Sequence, residues 1–352
     1  MMPSTDFISD PKILFDNVSG HWFASILDVT NGSVYVAASL NGSPFGGFYV
    51  YILPPLVAGA FPDRPILGVS KNLVAIGANE YTSVFVGGVV WAVNKSAMIL
   101  GHLAYFSSFG PHLGWFSIHP VHSISATTKE YLVMTSGSPH LKVWNLTGTP
   151  SASTHATLGG VTNLSILAYS TPPPAPQKGT TGKVDTGDTR ILDAVWRSNV
   201  LWLTFTTGCT PSGDVATRSC IRLTELSTLT KPSVTSDFNF AKKKTYLFYG
   251  ALGLDGSLNL GVVYGLSNSS LYPILAATGH LAANASGVLL APVYLVRGTS
   301  YFNASWACTG VVCRWGDYYG VGADPTSPNF WVAGEYCEPS TYWSTWISSI
   351  KL

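Results

Sequence analysis

The sequence contains few charged residues, and the positive and negative charges nearly cancel. Charged residues make up 11% of the 352 residues and the formal net charge is +1, whereas average soluble domains are roughly 25% charged. Lys242, Lys243 and Lys244 form the longest basic run. Because proteins that bind nucleic acid present a basic patch or stripe, we expect no nucleic-acid partner.

Hydrophobic stretches long enough to span a membrane are also missing, although 46% of the residues are hydrophobic. A transmembrane helix needs about 18 consecutive apolar residues. The two best candidates, Leu73–Val93 and Tyr246–Leu266, are interrupted by acidic and amide residues, so we interpret them as buried strands and predict no transmembrane segment. Met1–Lys12 lacks the apolar core of a signal peptide, so we expect any export to use a leader absent from this chain or another route.

Common catalytic motifs are missing too. The sequence has no Gly-X-Ser-X-Gly nucleophile motif, no His-Glu-X-X-His zinc motif and no phosphate-binding glycine loop. It also has no Cys-X-X-Cys pair and no histidine close to a cysteine. We therefore predict no structural zinc and no organic cofactor.

The cysteines that are present are spaced for local disulfides. Cys209 and Cys220 flank a turn-rich insert, and Cys308 and Cys313 bracket a tight loop. Disulfides persist in oxidising compartments outside the cytosol. We predict that these two pairs are bonded and that Cys337 is unpaired, in preference to metal binding.

The sequence is rich in N-glycosylation sequons. Chance occurrence in a chain rich in serine and threonine is the alternative interpretation, but we favour glycan acceptors on the surface turns of an exported protein. The nine candidate residues are Asn17, Asn31, Asn41, Asn94, Asn145, Asn163, Asn268, Asn284 and Asn303.

Abundant turn-forming and aromatic residues predict many short strands and almost no helix. The chain has 35 glycines, 22 prolines and 12% aromatic residues. Asn31-Gly32 between apolar runs is a strong hairpin signal, and the C-terminal segment predicts three strands, Trp315–Ala323, Asn329–Tyr336 and Tyr342–Ile350. Repeated aromatic strand groups of this size are typical of β-propeller blades. We predict an all-β, six-bladed propeller with four-stranded antiparallel blades; a pair of β-sandwiches is the alternative.

The predicted propeller is a single domain that covers residues 1–352. We interpret Thr171–Asp188, which is rich in proline, glycine and threonine, as an extended linker between blades; a binding loop is the alternative. The approximate blades are residues 10–55, 61–110, 115–165, 189–230, 244–295 and 300–352.

Segments near both ends carry an aromatic and acidic pattern. They are Asp6–Lys12, His21–Ala24, Arg314–Tyr318, Asp324-Pro325, Phe330-Trp331, Glu335-Tyr336 and Trp343–Ile347, with a weaker match at Gly77–Asn79 and Val90–Lys95. The pattern resembles a signature of exported bacterial and archaeal β-propeller proteins, which are distantly similar to sialidase-type propellers with BNR repeats. The resemblance implies a propeller fold and an exported protein. The chain departs from the sialidase pattern, because it lacks a Ser-X-Asp-X-Gly-X-Thr-Trp box and an assignable arginine triad.

The starts of the inner strands of a propeller gather at one mouth of the central channel, so we expect functional side chains there. Two carboxyl groups could serve as acid and base or nucleophile, arginine could bind an anionic sugar, and a ring of aspartates could hold Ca²⁺. Local capping and ion pairing are the structural alternative. The candidates are Asp10, Asp193 and Asp317 for catalysis, and Arg64, His119, His122, Arg314, Trp115 and Trp306 for ligand binding.

The other tryptophans are assigned to packing between blades, because most of them fall within predicted strands. The resulting hypothesis is an extracellular glycoprotein, displayed on a cell or virion surface, that recognises glycans or surface proteins. The alternative is a glycoside hydrolase with its site at the channel mouth. Fold alone does not decide between them, since propellers host many functions.

Overall fold

The computed structural model describes residues 6–338 and 342–352, and its regular secondary structure is almost entirely β-strand. The all-β class predicted from the sequence is confirmed. The described residues form 29 strands and one short helix, α1 (Lys95–Ile99). None of the helical structure in these residues is long and apolar enough to cross a membrane.

The chain divides into two compact units. The first unit comprises Met1–Met134, Lys142–Asn163 and Trp196–Ser198, and the second unit comprises Thr135–Leu141, Leu164–Val195 and Asn199–Leu352. The prediction that residues 1–352 form one propeller domain stays a prediction.

The first unit is built mainly from antiparallel sheets made of consecutive hairpins, with one short parallel pairing between Val69 and His122. Strands β1 to β4 form one four-stranded sheet, and β5 to β8 follow one another in a second. Its strands are β1 (Ile8–Asp16), β2 (His21–Asp28), β3 (Ser33–Ser39), β4 (Phe48–Leu53), β5 (Phe61–Val69), β6 (Leu73–Tyr81), β7 (Phe85–Asn94), β8 (Phe106–His112), β9 (His119–Pro120), β10 (His122–Ser123), β11 (Glu130–Thr135), β12 (His140–Thr147), β13 (Thr157–Leu158) and β14 (Thr162–Ser165). One end of β11, of β12 and of β14 falls within the second unit.

The second unit contains two further four-stranded antiparallel groups, one small mixed sheet and a three-stranded C-terminal sheet. Its strands are β15 (Ala175–Pro176), β16 (Lys183–Val184), β17 (Asp193–Arg197, ending in the first unit), β18 (Val200–Cys209), β19 (Arg218–Ser227), β20 (Ser233–Phe240), β21 (Tyr246–Leu254), β22 (Leu260–Asn268), β23 (Leu271–His280), β24 (Val293–Val296), β25 (Cys308–Thr309), β26 (Val312–Cys313), β27 (Gly320–Ala323), β28 (Asn329–Cys337) and β29 (Trp343–Lys351).

Local sequence explains why the hairpins form where they do. Between β2 and β3 the chain turns at Gly32, whose φ is +62°, and a Cβ there would lie 2.6 Å from the carbonyl oxygen of Ala60. A left-handed backbone against a neighbouring chain segment requires glycine. The Asn-Gly pair therefore fixes the turn between β2 and β3.

Each unit has its own apolar core. In the first unit, Phe23, Val36, Val74 and Trp91 are fully buried in a shared cluster. In the second unit, a separate cluster includes Phe248, Phe302, Trp315 and Phe330. Burial of large aromatic and branched side chains is the main stabilising contribution to such cores.

Three details differ from the sequence prediction. The strand predicted to start at Trp315 begins at Gly320, because Trp315 is buried in the core and its segment forms a loop. Part of Thr171–Asp188 pairs as β15 and β16 instead of forming only a linker. The segment His119–Ile124 predicts one strand, whereas Val121 separates β9 from β10.

Both predicted disulfides are present in the second unit. Cys209 is bonded to Cys220, and Cys308 is bonded to Cys313. Cys337 is a buried free cysteine. Each bond joins strands that are adjacent in the sequence, so the spacing of the cysteines was sufficient to identify the pairs.

Candidate functional site

The sheet of β27, β28 and β29 buries one face and exposes the other. Phe330 and Val332 are buried in the core of the second unit, whereas Trp331, between them, is 52% exposed. Gly322 pairs with Trp331, and Gly320 pairs with Ala333. Because paired residues of adjacent strands share a face, these glycines lie on the exposed side.

We call this side the open face. It is formed by the side of β27 and β28 that carries Gly320, Gly322, Trp331, Ala333 and Glu335, together with Ile347 and Ser349, which pair with Ala333 and Trp331 from β29. A Cβ added to Gly320 or Gly322 would meet no atom within 4 Å. The open face is therefore a shallow floor of small residues beside an exposed indole ring.

The indole of Trp331 is held in position by an acidic turn. Its Nε1–H donates to Oδ2 of Asp324 at 3.2 Å, and Oδ1 of Asp324 accepts from the backbone N–H and the hydroxyl of Thr326 at 2.8 and 2.7 Å. The hydrogen bonds from Thr326 lower the pKa of Asp324 to about 2. Asp324 is thus ionised at neutral pH and orients the ring.

Glu335 lies on the same face of β28, four residues beyond Trp331, a separation of about 13 Å along an extended strand. Its Oε2 accepts from the backbone N–H of Gly316 at 3.0 Å. Burial, reinforced by the negative charge of Asp317, raises the pKa of Glu335 to about 7. This half-buried carboxyl group can therefore exchange a proton near neutral pH, as general acids do.

Arg314 and Asp317 form an ion pair in the loop that precedes β27. The side chain of Arg314 is 71% exposed and that of Asp317 is 31% exposed. The structure thus brings together these two residues, both predicted as site residues, and places Asp317 close enough to raise the pKa of Glu335. The carboxylate of Asp317 is partly neutralised by its partner.

Buried aromatic residues fix this loop against the sheet. The Nε1–H of Trp315 donates to the hydroxyl of Tyr319 at 3.0 Å, and both side chains are buried. Burial is the main cause that raises the pKa of Tyr319 far above its ordinary value. Tyr319 stays protonated and serves as an anchor for the loop.

Other predicted residues of the second unit have different surroundings. Asp193 accepts hydrogen bonds from the backbone N–H of Ala194 and of Leu252, at 2.9 and 2.8 Å, which is a structural role. Trp306 is 65% exposed, with its ring edge against Phe302 at a centroid distance of 6.3 Å. Trp306 therefore remains a candidate platform, as predicted.

The predicted site residues of the first unit lie at β-bulges or contact other groups of the protein. Asp10 and Arg64 have left-handed backbones, with φ of +53° and +54°, at β-bulges in β1 and β5. His119 is buried, with Nδ1 2.7 Å from the carbonyl oxygen of Pro120. Trp115 is half-buried and stacks on His112 at 5.1 Å.

His122 belongs to a buried polar network in the first unit. Lys95 forms an ion pair with Asp16, with 2% and 0% of their side chains exposed, and the Nζ of Lys95 donates to the carbonyl oxygen of Ser70 at 2.7 Å. Burial lowers the pKa of His122 to about 4 and raises the pKa of Glu130 well above its ordinary value. The network contains one ion pair flanked by a histidine and a glutamate whose pKa values both shift toward the neutral form.

The predicted glycan acceptors differ in how available their amide groups are. The exposed ones are Asn17, Asn31, Asn41, Asn163 and Asn303, and the half-buried ones are Asn94, Asn145, Asn268 and Asn284. Asn94 caps α1 through its side-chain oxygen, while its Nδ2 donates to the carbonyl oxygen of Pro150 at 2.9 Å. Its attachment atom is already engaged in the fold.

Sequence reasoning missed Trp331, Asp324 and Glu335 as site residues. From the sequence, Trp331 is assigned to packing because it lies within a predicted strand, and Glu335 is named only as part of the aromatic and acidic pattern. Alternation along β28 could have shown that Trp331 and Glu335 share a face, but the sequence does not show which face is covered. For metals, among residues 6–338 and 342–352, no group of three or more His, Cys, Asp or Glu is arranged to hold an ion.

Comparison with known proteins leaves the family undetermined. No protein-family model and no curated protein sequence matches the chain. Among solved structures, a protein of unknown function from Dyadobacter fermentans is 10% identical, with a TM-score of 0.44 over 98% of this chain and 94% of that one. The endo-arabinase of Bacteroides thetaiotaomicron is 9% identical, with a TM-score of 0.41 over 79% and 95% of the chains.

A sialidase from Trypanosoma rangeli is a third similar structure. It is 9% identical, with a TM-score of 0.42, and the match covers 97% of this chain and 54% of the sialidase. All three TM-scores are below 0.5, so we base no conclusion on these similarities.

Proposed function

We propose that this protein is an exported, surface-displayed β-propeller glycoprotein that binds glycans on its C-terminal sheet. The open face carries the proposal, since an exposed, oriented indole beside a floor of glycine and alanine suits stacking of a sugar ring. Trp331 and Ile347 are both exposed on this face, and grouped apolar side chains mark binding sites more often than single scattered ones do. The nearby carboxyl groups and Arg314 supply hydrogen-bonding groups for hydroxyls.

A repeated local feature supports the propeller. The first strands of three four-stranded groups, β1, β5 and β21, each contain a left-handed non-glycine residue at a β-bulge: Asp10, Arg64 and Tyr249. Such residues cost about 1–3 kcal/mol each. Their recurrence at equivalent strands is expected of one structural unit repeated along the chain.

The disulfides and the exposed sequons support export. Expression through a eukaryotic secretory pathway, followed by peptide mapping, tests this. We expect glycans on exposed residues such as Asn17 and Asn163, and none on Asn94, whose amide nitrogen is engaged. A glycan on Asn94 alone, or no glycan on any sequon, would contradict the proposal that the protein is an exported glycoprotein.

Glycan binding is tested with a glycan array, using the full chain and a Trp331→Ala variant. We expect binding by the wild type and its loss in the variant, because the variant lacks the stacking surface. Trp306→Ala is the matched control, since it removes another exposed tryptophan of the second unit. If Trp331→Ala binds as the wild type does, the open face is not the binding site.

Glycoside hydrolysis is the second candidate, favoured by the proximity of Asp317 and Glu335. A protonated carboxyl beside an ionised one is the arrangement that acid-assisted glycosidases use. Incubation of each bound glycan, with analysis for cleavage products, tests it. Turnover that is lost in both Asp317→Asn and Glu335→Gln would support hydrolysis, whereas binding without products would leave recognition as the function.

A further inference from the structure

The open face has a defined length and a weakly polar interior. Between Trp331 and Glu335, its floor consists of Gly320, Gly322 and Ala333, flanked by Ile347. No charged side chain lies between the two ends in this part of the sheet. A ligand that spans the roughly 13 Å between them therefore meets an aromatic ring, a backbone floor and then a carboxyl group.

The charged groups around the open face do not favour an anion. Asp324 lies at the Trp331 end, and Asp317 and Glu335 lie at the other. Of the cations, Arg314 is already paired with Asp317. Lys351 pairs with Asn329 at the end of β29, beyond Trp331.

Protein sites for carboxylated ligands usually present arginine for paired hydrogen bonds. In the open face, the single nearby arginine is committed to a carboxylate, and three carboxyl groups face two cations. An anionic sugar bound along β28 would lie near Asp324 and Glu335, and the remaining cation, Lys351, lies past the Trp331 end, away from Glu335. A neutral sugar would find an aromatic surface for its apolar side and carboxyl oxygens for its hydroxyls.

We propose that the open face binds a short neutral oligosaccharide along β28, from Trp331 to Glu335, and discriminates against sugars that carry carboxylates. This inference rests on the proposed glycan-binding function and specifies its ligand class. It assigns Trp331 to stacking, Glu335 to hydrogen bonding, and the Arg314–Asp317 pair to the boundary of the site.

The experiment compares matched neutral and anionic oligosaccharides by calorimetric titration of the full chain. Trigalacturonate and its methyl ester share one sugar backbone and differ in charge and in the ester methyl groups, and sialyllactose beside lactose gives a second anionic and neutral pair. We expect the neutral member of each pair to bind at least about tenfold more tightly, and Trp331→Ala to weaken neutral binding about tenfold or more. Trp306→Ala is expected to leave the affinity unchanged.

The pH dependence of the affinity ratio between neutral and anionic sugars shows whether the protein discriminates by charge or by shape. From about pH 5 to about pH 9, ionisation of Glu335, beside Asp317 and Arg314, should increase the preference for neutral sugars severalfold. In Glu335→Gln, the preference should remain constant, because the carboxyl group that titrates near pH 7 is gone and Asp324 stays ionised over this range. Tyr319 does not ionise there.

The outcomes distinguish the two proposals. Tighter binding of trigalacturonate or sialyllactose, weakened by Trp331→Ala, would overturn the neutral-ligand inference and keep glycan binding at the open face. Binding that is insensitive to Trp331→Ala would overturn the site. Failure of every glycan on a broad array to bind would overturn the proposed function itself.

Discussion

The two units each contain a cluster of acidic and basic side chains, and the clusters differ in their contact with water. In the first unit, Lys95 and Asp16 are almost fully enclosed. In the second unit, Arg314 and Asp317 are largely or partly exposed. A buried ion pair that loses one partner leaves an uncompensated charge, whereas an exposed pair contributes little to stability. The same residue types are therefore structural in one unit and available to a ligand in the other.

The largest expected effect is the loss of the buried cation. In Lys95→Met, the carboxylate of Asp16 remains buried without its partner, and we expect the free energy of unfolding to fall by about 3–5 kcal/mol. Denaturant titration measures this change. The double variant Asp16→Asn/Lys95→Met should recover part of the loss, and a loss below about 1 kcal/mol would show that the pair is not critical.

The second-largest expected effect is a loss of folding stability at acid pH that depends on His122. Its pKa in the folded protein is about 4, below the unfolded value of about 6.5, so unfolding takes up a proton between these values. The stabilising contribution is complete above about pH 6.5 and falls by up to ~3 kcal/mol as the pH decreases through 4. His122→Gln should flatten this part of the stability profile, whereas His155→Gln, at an exposed histidine, should not.

Glu335 is expected to make stability depend on pH in the opposite direction and by a smaller amount. Its pKa of about 7 in the folded protein exceeds the unfolded value of about 4.3, so its contribution is present at low pH and is lost as the pH rises through 7. Because the side chain is half-buried, we expect about 1 kcal/mol. Glu335→Gln should remove this change and Glu225→Gln should retain it, as measured by denaturant midpoints between acid and neutral pH.

The smallest expected effect is at the exposed pair. Arg314→Gln should change the free energy of unfolding by less than about 1 kcal/mol, because water solvates both charges after separation. Denaturant titration beside Lys95→Met gives the direct comparison. A loss as large as that of Lys95→Met would contradict the distinction between the structural and the exposed cluster.

Local signals predicted most of the strands. Alternation and flanking turns predict strands at His21–Asp28, Phe48–Leu53 and Glu130–Thr135, and the structure has strands with these bounds. Shorter strands such as β15 and β16 were not predicted, because two-residue pairings leave no periodic pattern. Helix α1 was also missed, since five residues are too few to show a helical repeat.

The candidate site was only partly predictable. Arg314 and Asp317 were identified from the sequence, and the structure pairs them. Lys95 was not considered as a buried cation, and Trp331 was assigned to packing. In both cases the sequence analysis and the structure differ in the solvent exposure of the side chain, which depends on distant segments of the chain.

By itself, the sequence determined the all-β class, the positions of the main hairpins and the two disulfides. These properties depend on alternation, turn residues and the spacing of neighbouring cysteines, which act over a few residues. Only the tertiary structure decided that Trp331 faces water beside a glycine floor while Lys95 is enclosed with Asp16 and His122. Burial is set by which strands pack over a side chain, and it determines whether a charge stabilises the fold or remains accessible to a ligand.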